Sequence, residues 1–393
     1  MGKQGGDRKR DQESATDPLD EALGLSEQGL RRSDFLSGAG KLGLGALALG
    51  GLGGLPQAAW GSARAAGSRA KTLAVIENAF GSFATDNQEK PIRAYLSKSA
   101  PGWHATFGNE NNVLPTGVQL FNQYAAANDA ALILISAQAM TGYEQVARSF
   151  TKAGGVVICH GTASLGPATQ NVCFSHKQAG VGIGKAAIAW AHKNNITAPV
   201  VALIGLLSAA LPKERTTWAW KTIKAAFPNA QLVGEVEGID QPTGATAAAN
   251  LLSAHPNINI MVAFDGPAGL GALASAHQAG KNDPKSFYLA CTDQEAQTLQ
   301  LIAAGNSILQ ANYGVFFPAD FVLCARDCIA AAAGKKIHPT RLLYGLVIDT
   351  PAEAKSFNTI AFDPLNPKYA YVYTKYFKYL DTPLATNQAA PGQ

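Results

Sequence analysis

From Ile258 to Phe264 the chain alternates and then runs apolar, the pattern of a strand buried on both faces of a parallel sheet. Asp265-Gly266 breaks the run, and Ala268 to Ala279 reads as a small-residue helix with Leu270, Leu273 and Ala274 on one face. A strand that ends in an acid and turns straight into a helix puts that acid at the carboxyl edge of a sheet. Open α/β sheets bind their ligands at that edge. The same order recurs earlier in the chain. Strands are expected at Lys71–Glu77, His104–Gly108, Ala130–Ile135 and Val156–Cys159, and helices at 87–99, 115–128 and 143–153. Four strand–helix units in about 90 residues make a doubly wound parallel sheet.

A second series follows. Val200–Gly205, Gln231–Glu235 and Phe287–Cys291 read as strands, with a helix carrying Trp218, Trp220 and Ile223 after the first. A length of 393 residues suits two lobes of similar size behind a leader. The expected fold class is therefore α/β, with two doubly wound Rossmann-like lobes joined by three hinge crossings. Residues 70–173 with 313–342 are assigned to the N-terminal lobe, 174–312 with 343–380 to the C-terminal lobe, and 381–393 to a tail. Crossings are placed at 308–311, with Asn312 and Tyr313 at the crossing, and at 342–348.

With 47% hydrophobic and 15% charged residues the chain is globular. Its net charge of +4 is scattered, with no basic run suited to nucleic acid. Cys159, Cys173, Cys291, Cys324 and Cys328 show no metal-ligand spacing and read as small buried hydrophobes, so neither zinc nor any cofactor is expected. Gly180, Gly182 and Gly184 before Lys185 lack the phosphate-loop spacing and hydroxyl, and fit close helix packing instead. Residues 1–69 read as a leader. Arg31-Arg32, the Gly-rich apolar run Leu42–Leu55 and Ala63-Arg64-Ala65 resemble a twin-arginine export signal removed near Ala65. The alternative is a permanent N-terminal anchor, for which Lys41 and the glycines are poorly suited.

The stretch HPNINIMVAFDGPAGLGALASAHQAG, His255 to Gly280, resembles the strand–Asn-Asp–helix segment of type I periplasmic sugar-binding proteins, the ribose-binding-like group. Asp265 and Gly271-Ala272-Leu273 match its pattern, and Phe264 stands where that group has Asn. The resemblance covers about residues 71–350. It implies a periplasmic binding protein-like I fold with one more crossing at 171–176, an exported monomer, and delivery of a ligand to the membrane permease of an ABC transporter. It also implies that Asn78, Phe80 and Phe83 in the first loop sandwich a sugar ring, and that Arg215 reaches a hydroxyl. His160-Gly161 replaces the Asp-Arg that closes the group's fourth strand, and Thr292 replaces an aromatic. Changed contacts of about 1–3 kcal/mol each imply a ligand other than ribose.

The residues expected at strand ends are Asn78, Ser136, Gln138, His160, Ser175, Arg215, Asp265, Asp293 and Asn312, with Phe80, Phe83, Phe264 and Tyr313 as flat apolar faces. Hydroxyls both donate and accept, so polar side chains read the edges of a neutral sugar or polyol while rings cover its C–H faces. No hydrolase or metalloprotease motif appears, so binding without catalysis is expected. A ligand-sensing receptor that signals to a membrane sensor is the alternative, and an enzyme on the same fold is a more distant one.

Overall fold

The computed structural model describes residues 69–161 and 163–390. The export-signal reading falls on residues outside the described ones, with the exception of Arg69. That residue belongs to the fold: its guanidinium donates to the carbonyls of Asp129 and Ala153 and lies over the Phe150 ring.

In chain order the first lobe runs β1 (Ala70–Glu77), a π turn (Thr85–Glu89) into α1 (Lys90–Ser99), β2 (His104–Asn109), α2 (Leu114–Ala126), β3 (Asp129–Leu134), α3 (Glu144–Lys152), β4 (Val156–His160) and β5 (Gln170–Phe174). The second runs α4 (His176–Lys193), β6 (Val200–Gly205), α5 (Ala210–Ala226), β7 (Gln231–Glu237), α6 (Gln241–Ala254), β8 (Ile260–Ala263), α7 (Gly266–Gln278), β9 (Tyr288–Thr292), α8 (Ala296–Ala304) and β10 (Leu309–Gly314). The chain ends with α9 (Phe317–Ala332), β11 (Thr340–Leu343), β12 (Leu346–Ile348), α10 (Pro351–Ala361), α11 (Tyr371–Lys375) and β13 (Phe377–Leu380).

Two sheets result, a seven-stranded one ordered β13-β11-β5-β4-β3-β1-β2 and a six-stranded one ordered β12-β10-β9-β8-β6-β7. All pairings are parallel except β11 with β13 and β10 with β12. Strand order reverses between β1 and β3 and again between β6 and β8. Doubly wound sheets open a crevice at such switch points, beyond the carboxyl ends of the strands. The runs β3 and β9 are buried at every residue because helices cover both faces. One face of the first sheet packs Ala74, Ile76, Leu132, Leu134 and Val157 against Phe121, Tyr143 and Phe150 from its helical layer.

Among the described residues the chain passes between the sheets at 174–176, 314–317 and 343–346, and a fourth time over residues 362–376. Three expectations are corrected by this path. Residues 308–311 do not cross; they belong to β10, which continues through Asn312 and Tyr313 inside the second sheet. Residues 342–348 form two strands in different sheets, parted at Tyr344-Gly345. A Cβ on Gly345 would lie 2.2 Å from the Tyr313 ring, so only glycine fits that passage. The segment 343–380 does not stay with the second lobe, because Phe377–Leu380 pairs antiparallel with β11 as the edge strand of the first sheet.

The glycines before Lys185 serve helix contact. A Cβ on Gly180 would lie 2.3 Å from the Arg215 carbonyl, and one on Gly184 would lie 2.7 Å from Thr222 Cβ, so α4 and α5 meet backbone to backbone. All five cysteines are buried free thiols, and burial pushes the Cys173 thiol up to about 12. No helix among the described residues is long and apolar enough to cross a membrane, and no group of three His, Cys, Asp or Glu there could hold a metal ion.

Candidate functional site

The second lobe builds its wall around Arg215. Helix α5 begins at Ala210, so Arg215 sits in its second turn, buried, and not in the loop before it. Its Nε donates to His176 Nδ1 at 2.9 Å, and its Nη1 reaches Thr292 Oγ1 at 2.7 Å, Asp293 Oδ2 at 2.5 Å and the Phe264 carbonyl at 3.2 Å. The guanidinium also lies over two rings, Phe264 at 4.6 Å and Phe174 at 4.9 Å. Those bonds use Nε and Nη1, leaving Nη2 without a hydrogen-bond partner among the described residues. A fork with one free prong, flanked by apolar faces, suits a neutral ligand oxygen.

Two carboxylates flank that fork. Asp265 caps α7, its Oδ1 accepting from the Ala268 amide at 2.8 Å. Burial holds its carboxyl well above the usual range, with the charges of Asp293 and Glu295 pushing the same way and the Ala268 amide and Arg215 opposing. Asp293 follows β9 in the left-handed region, φ 53°, which turns its carboxylate back onto Arg215. Its Oδ1 is buried without a hydrogen-bond partner.

The first lobe contributes rings. Phe83 stands edge-on to Phe317 at 5.5 Å, His160 meets Phe317 at 5.8 Å and Phe321 at 4.6 Å, and Phe317 reaches Phe174 at 6.3 Å. Behind His160, Nε2 lies 2.9 Å from Asp320 Oδ2 at ion-pair distance, though off the line of a hydrogen bond. Phe174, at the first crossing, links the two halves: it touches Phe317 on one side and Tyr313, His176 and Arg215 on the other. Direct bonds also span the lobes. Ser82 Oγ donates to Glu295 Oε2 at 2.9 Å, and Gln294 Nε2 reaches Asn87 Oδ1 at 3.3 Å. Gln294 also exchanges both backbone bonds of Val315, in the second crossing.

Of the residues expected in a site, Arg215, Phe264, Asp265 and Asp293 come together on one wall. Ser175 lies beside them as the cap of α4, its Oγ accepting from the Gln178 amide. Phe83 and His160 join through Phe317. Phe80 is 52% exposed and outside this ring cluster. Asn78 follows β1, and its carbonyl accepts from the Asn112 amide. Ser136 turns inward, donating to Glu110 Oε1 at 2.7 Å beside Tyr143, and Gln138 Nε2 spans to the Asn112 carbonyl at 2.9 Å; both brace loops. Asn312 is fully buried within β10, with Nδ2 on Cys291 Sγ at 3.1 Å and on the Asp293 carbonyl at 3.4 Å. Glu295, His176 and Phe317 join these residues without being among those expected from the sequence. Glu295 follows the same strand-end logic two residues beyond Asp293, whereas nothing local marks Phe317, in the first turn of a helix after a crossing.

A family model described as the periplasmic binding protein domain matches residues 80–315. The ABC transporter periplasmic-binding protein YphF of Escherichia coli (strain K12) is 25% identical over 163 residues, 39% of this chain and 50% of that protein; the match spans about half the relative's length. A solute-binding protein of Bacillus halodurans C-125 with bound myo-inositol is similar in structure, with a TM-score of 0.64 at 17% identity over 75% of this chain and 99% of that one. A Mycobacterium smegmatis protein in complex with β-D-fucofuranose gives 0.66 at 17% identity, covering 78% and 99%. A protein of Actinobacillus succinogenes 130z with bound D-allose gives 0.62 at 15%, covering 72% and 98%. At these identities the likeness establishes the two-lobe fold.

Proposed function

The chain belongs to the periplasmic binding protein domain family, and we propose that it captures a small neutral sugar or polyol between its lobes and hands it to the permease of an ABC transporter. The observation that carries this reading is the pairing of one polar wall, Arg215 with Asp265 and Asp293, with an apolar one, Phe83, Phe317 and His160, at the carboxyl edges of two sheets. The free prong of Arg215 and the carboxylates read hydroxyl edges, and the rings cover C–H faces. Crossings at 174–176, 314–317 and 343–346 act as the hinge about which the lobes close. Relatives of the same fold are described with inositol, fucofuranose and allose bound, which supports the carbohydrate class.

The protein acts by binding, without transforming its ligand, as an exported periplasmic monomer. Calorimetric titration against a panel of monosaccharides and polyols tests the ligand class. A Kd below about 100 μM for at least one member is expected, and weaker binding across the whole panel would remove the carbohydrate assignment. Light scattering of the purified protein tests the monomer, and the N-terminal mass of secreted material tests cleavage near Ala65.

A further inference from the structure

Beyond β13 the chain folds back along the first lobe as a strap from Asp381 to Ala390, anchored by two buried residues. Leu384 and Ala390 pack with Cys173 and Leu342. Between these anchors its contacts are polar, and they converge on two loops. One follows β4 and therefore His160: Ser164, 1% exposed, donates through N–H to the Gln388 carbonyl at 3.1 Å, accepts at its carbonyl from the Asn387 amide at 2.8 Å, and accepts at Oγ from the Gln388 amide at 2.9 Å. Its hydroxyl also donates to the Ala385 carbonyl, and the Gly166 amide donates to Thr386 Oγ1. The other loop follows β3 and carries Ser136 and Gln138: the Met140 amide donates to Asn387 Oδ1 at 3.2 Å, and Thr386 Oγ1 donates to Glu144 Oε1 at 2.9 Å.

The two loops also touch each other. A Cβ on Gly161 would come within 2.9 Å of Met140 Cε and 3.3 Å of the Ser136 carbonyl. Asn387 is the one strap residue whose backbone bonds to the first loop while its side chain bonds to the second. Its φ of 62° lies in the left-handed region, which asparagine tolerates and most residues do not.

We infer that Asn387 is a positioning residue for ligand capture: by tying Met140 to Ser164 it sets the separation of the two loops that frame the first lobe's half of the cleft. The inference rests on the sugar-binding reading for its consequence, but not for its mechanics. The two loops are pinned to the core by Met140, Tyr143 and Leu165, and the strap's polar bonds set the segments between those pins, which otherwise sample several conformations. Pre-setting them spares the ligand the cost of ordering them.

The test uses the full chain and two substitutions. Asn387→Gly keeps the left-handed backbone and removes the acceptor; Asn387→Asp restores an acceptor at the same position. Hydrogen–deuterium exchange of 139–144 and 163–166, and titration with myo-inositol, D-allose and L-arabinose, are measured for each. Asn387→Gly is expected to raise exchange at Met140 about tenfold and to weaken the best-bound of the three sugars about tenfold. Its melting temperature should stay within about 2 °C, with exchange in α6 of the second lobe unchanged, and Asn387→Asp should recover most of the affinity. Faster exchange with unchanged affinity overturns the inference, as does a loss of affinity accompanied by loosening of both lobes. If none of the three sugars nor the wider panel binds, the sugar-binding reading fails, while unaltered exchange in the loops separately overturns the mechanical claim.

Discussion

Ser82 and Glu295, 213 residues apart, close the cleft on one side: the Ser82 hydroxyl donates to Glu295 Oε2 at 2.9 Å. Ser82 lies in the loop that β1 delivers to the first sheet's carboxyl edge, and Glu295 lies at the start of α8 beyond the second sheet's corresponding edge. Gln294, next to it, grips both Asn87 of the opposite lobe and the backbone of Val315 in the hinge. Adjacent residues thus join the rim of the closed state to the segment that must bend for it to open.

A bond made only when the lobes are together favours the closed form, and ligand affinity scales with the fraction closed. Ser82→Ala removes the donor and leaves the fold of each lobe untouched. A hydrogen bond to a carboxylate contributes on the order of 1–2 kcal/mol here. The expected result is a roughly fivefold weaker sugar affinity together with a larger radius of gyration in small-angle scattering of the ligand-free protein. Identical scattering and affinity would mean that this contact does not govern closure.

Arg215→Ala deletes the cation that Asp293 binds and that lies near Asp265, together with the Nη2 proposed to meet the ligand. Removing one partner of a buried charge pair costs about 3–5 kcal/mol of stability, so the ligand-free protein should melt earlier, and loss of a charged donor to the ligand, worth about 1.5–3 kcal/mol, should weaken affinity at least tenfold. Arg215→Lys should not rescue it. A lysine cannot donate to His176, Thr292 and Asp293 together. Titration of both variants decides this, and a lysine variant that binds as the parent does would show that charge alone is used.

Much of the frame was legible in local pattern. The run Val200–Gly205 is a strand with the expected limits because a strand buried on both faces is continuously apolar, and Asp265 caps the helix that follows β8 because strand–acid–helix leaves its carboxylate no other place. The resemblance puts Arg215 in a loop leading into a helix, but α5 opens at Ala210, five residues before it, behind an Ala209 cap that makes no side-chain bond, so no local signal marks that boundary. Asn312 carried the composition of a crossing yet lies in mid-strand, since β10 is extended by pairing with β12, which arrives from 34 residues later. The strap was silent for the same reason. The bonds of Ser164 to Ala385 and Gln388 join segments more than 200 residues apart and leave no periodicity in either.

Glu77 supplies a pH prediction. It is fully buried at the end of β1 with both carboxylate oxygens unbonded, and burial first, then the charge of Glu89, raises its pKa from 4.5 to about 8 against the pull of Arg93. Folding therefore favours the protonated acid. Between about pH 4.5 and 8 the native state holds a proton that the unfolded state has released, so stability is greatest below the lower value and falls as pH rises through the upper one. Glu295, raised to about 7 by burial, adds to the same slope. Melting temperature should decline from pH 5 to 9, by an amount on the order of a few kcal/mol in stability. Glu77→Gln should flatten the upper part of that decline and raise the melting temperature at pH 8.5. A wild-type profile level across this range would show that Glu77 is ionised in the folded protein.

Arg341 is 0% exposed on β11, with Nε 2.8 Å from Asp320 Oδ1 and Nη1 3.0 Å from Asp327 Oδ2; both acids lie on α9, and Asp320 in turn backs His160. One cation holds a helix to a strand and, through Asp320, reaches the His160 ring at the end of β4. Arg341→Met keeps much of the volume but leaves Asp320 buried without its arginine and Asp327 with the half-exposed Arg326 alone, and an uncompensated buried charge costs about 3–5 kcal/mol. Replacing the whole set, Arg341→Met with Asp320→Asn and Asp327→Asn, removes the unpaired charges and should recover most of that loss, because a buried ion pair often contributes little beyond its own desolvation. Urea unfolding of the single and triple variants separates the two effects. Equal instability in both would show that the arginine acts by packing and not by charge. The triple variant should also bind sugar less tightly than its stability suggests, since His160 loses the carboxylate behind it, and restoring only Asp320 should return that share of the affinity.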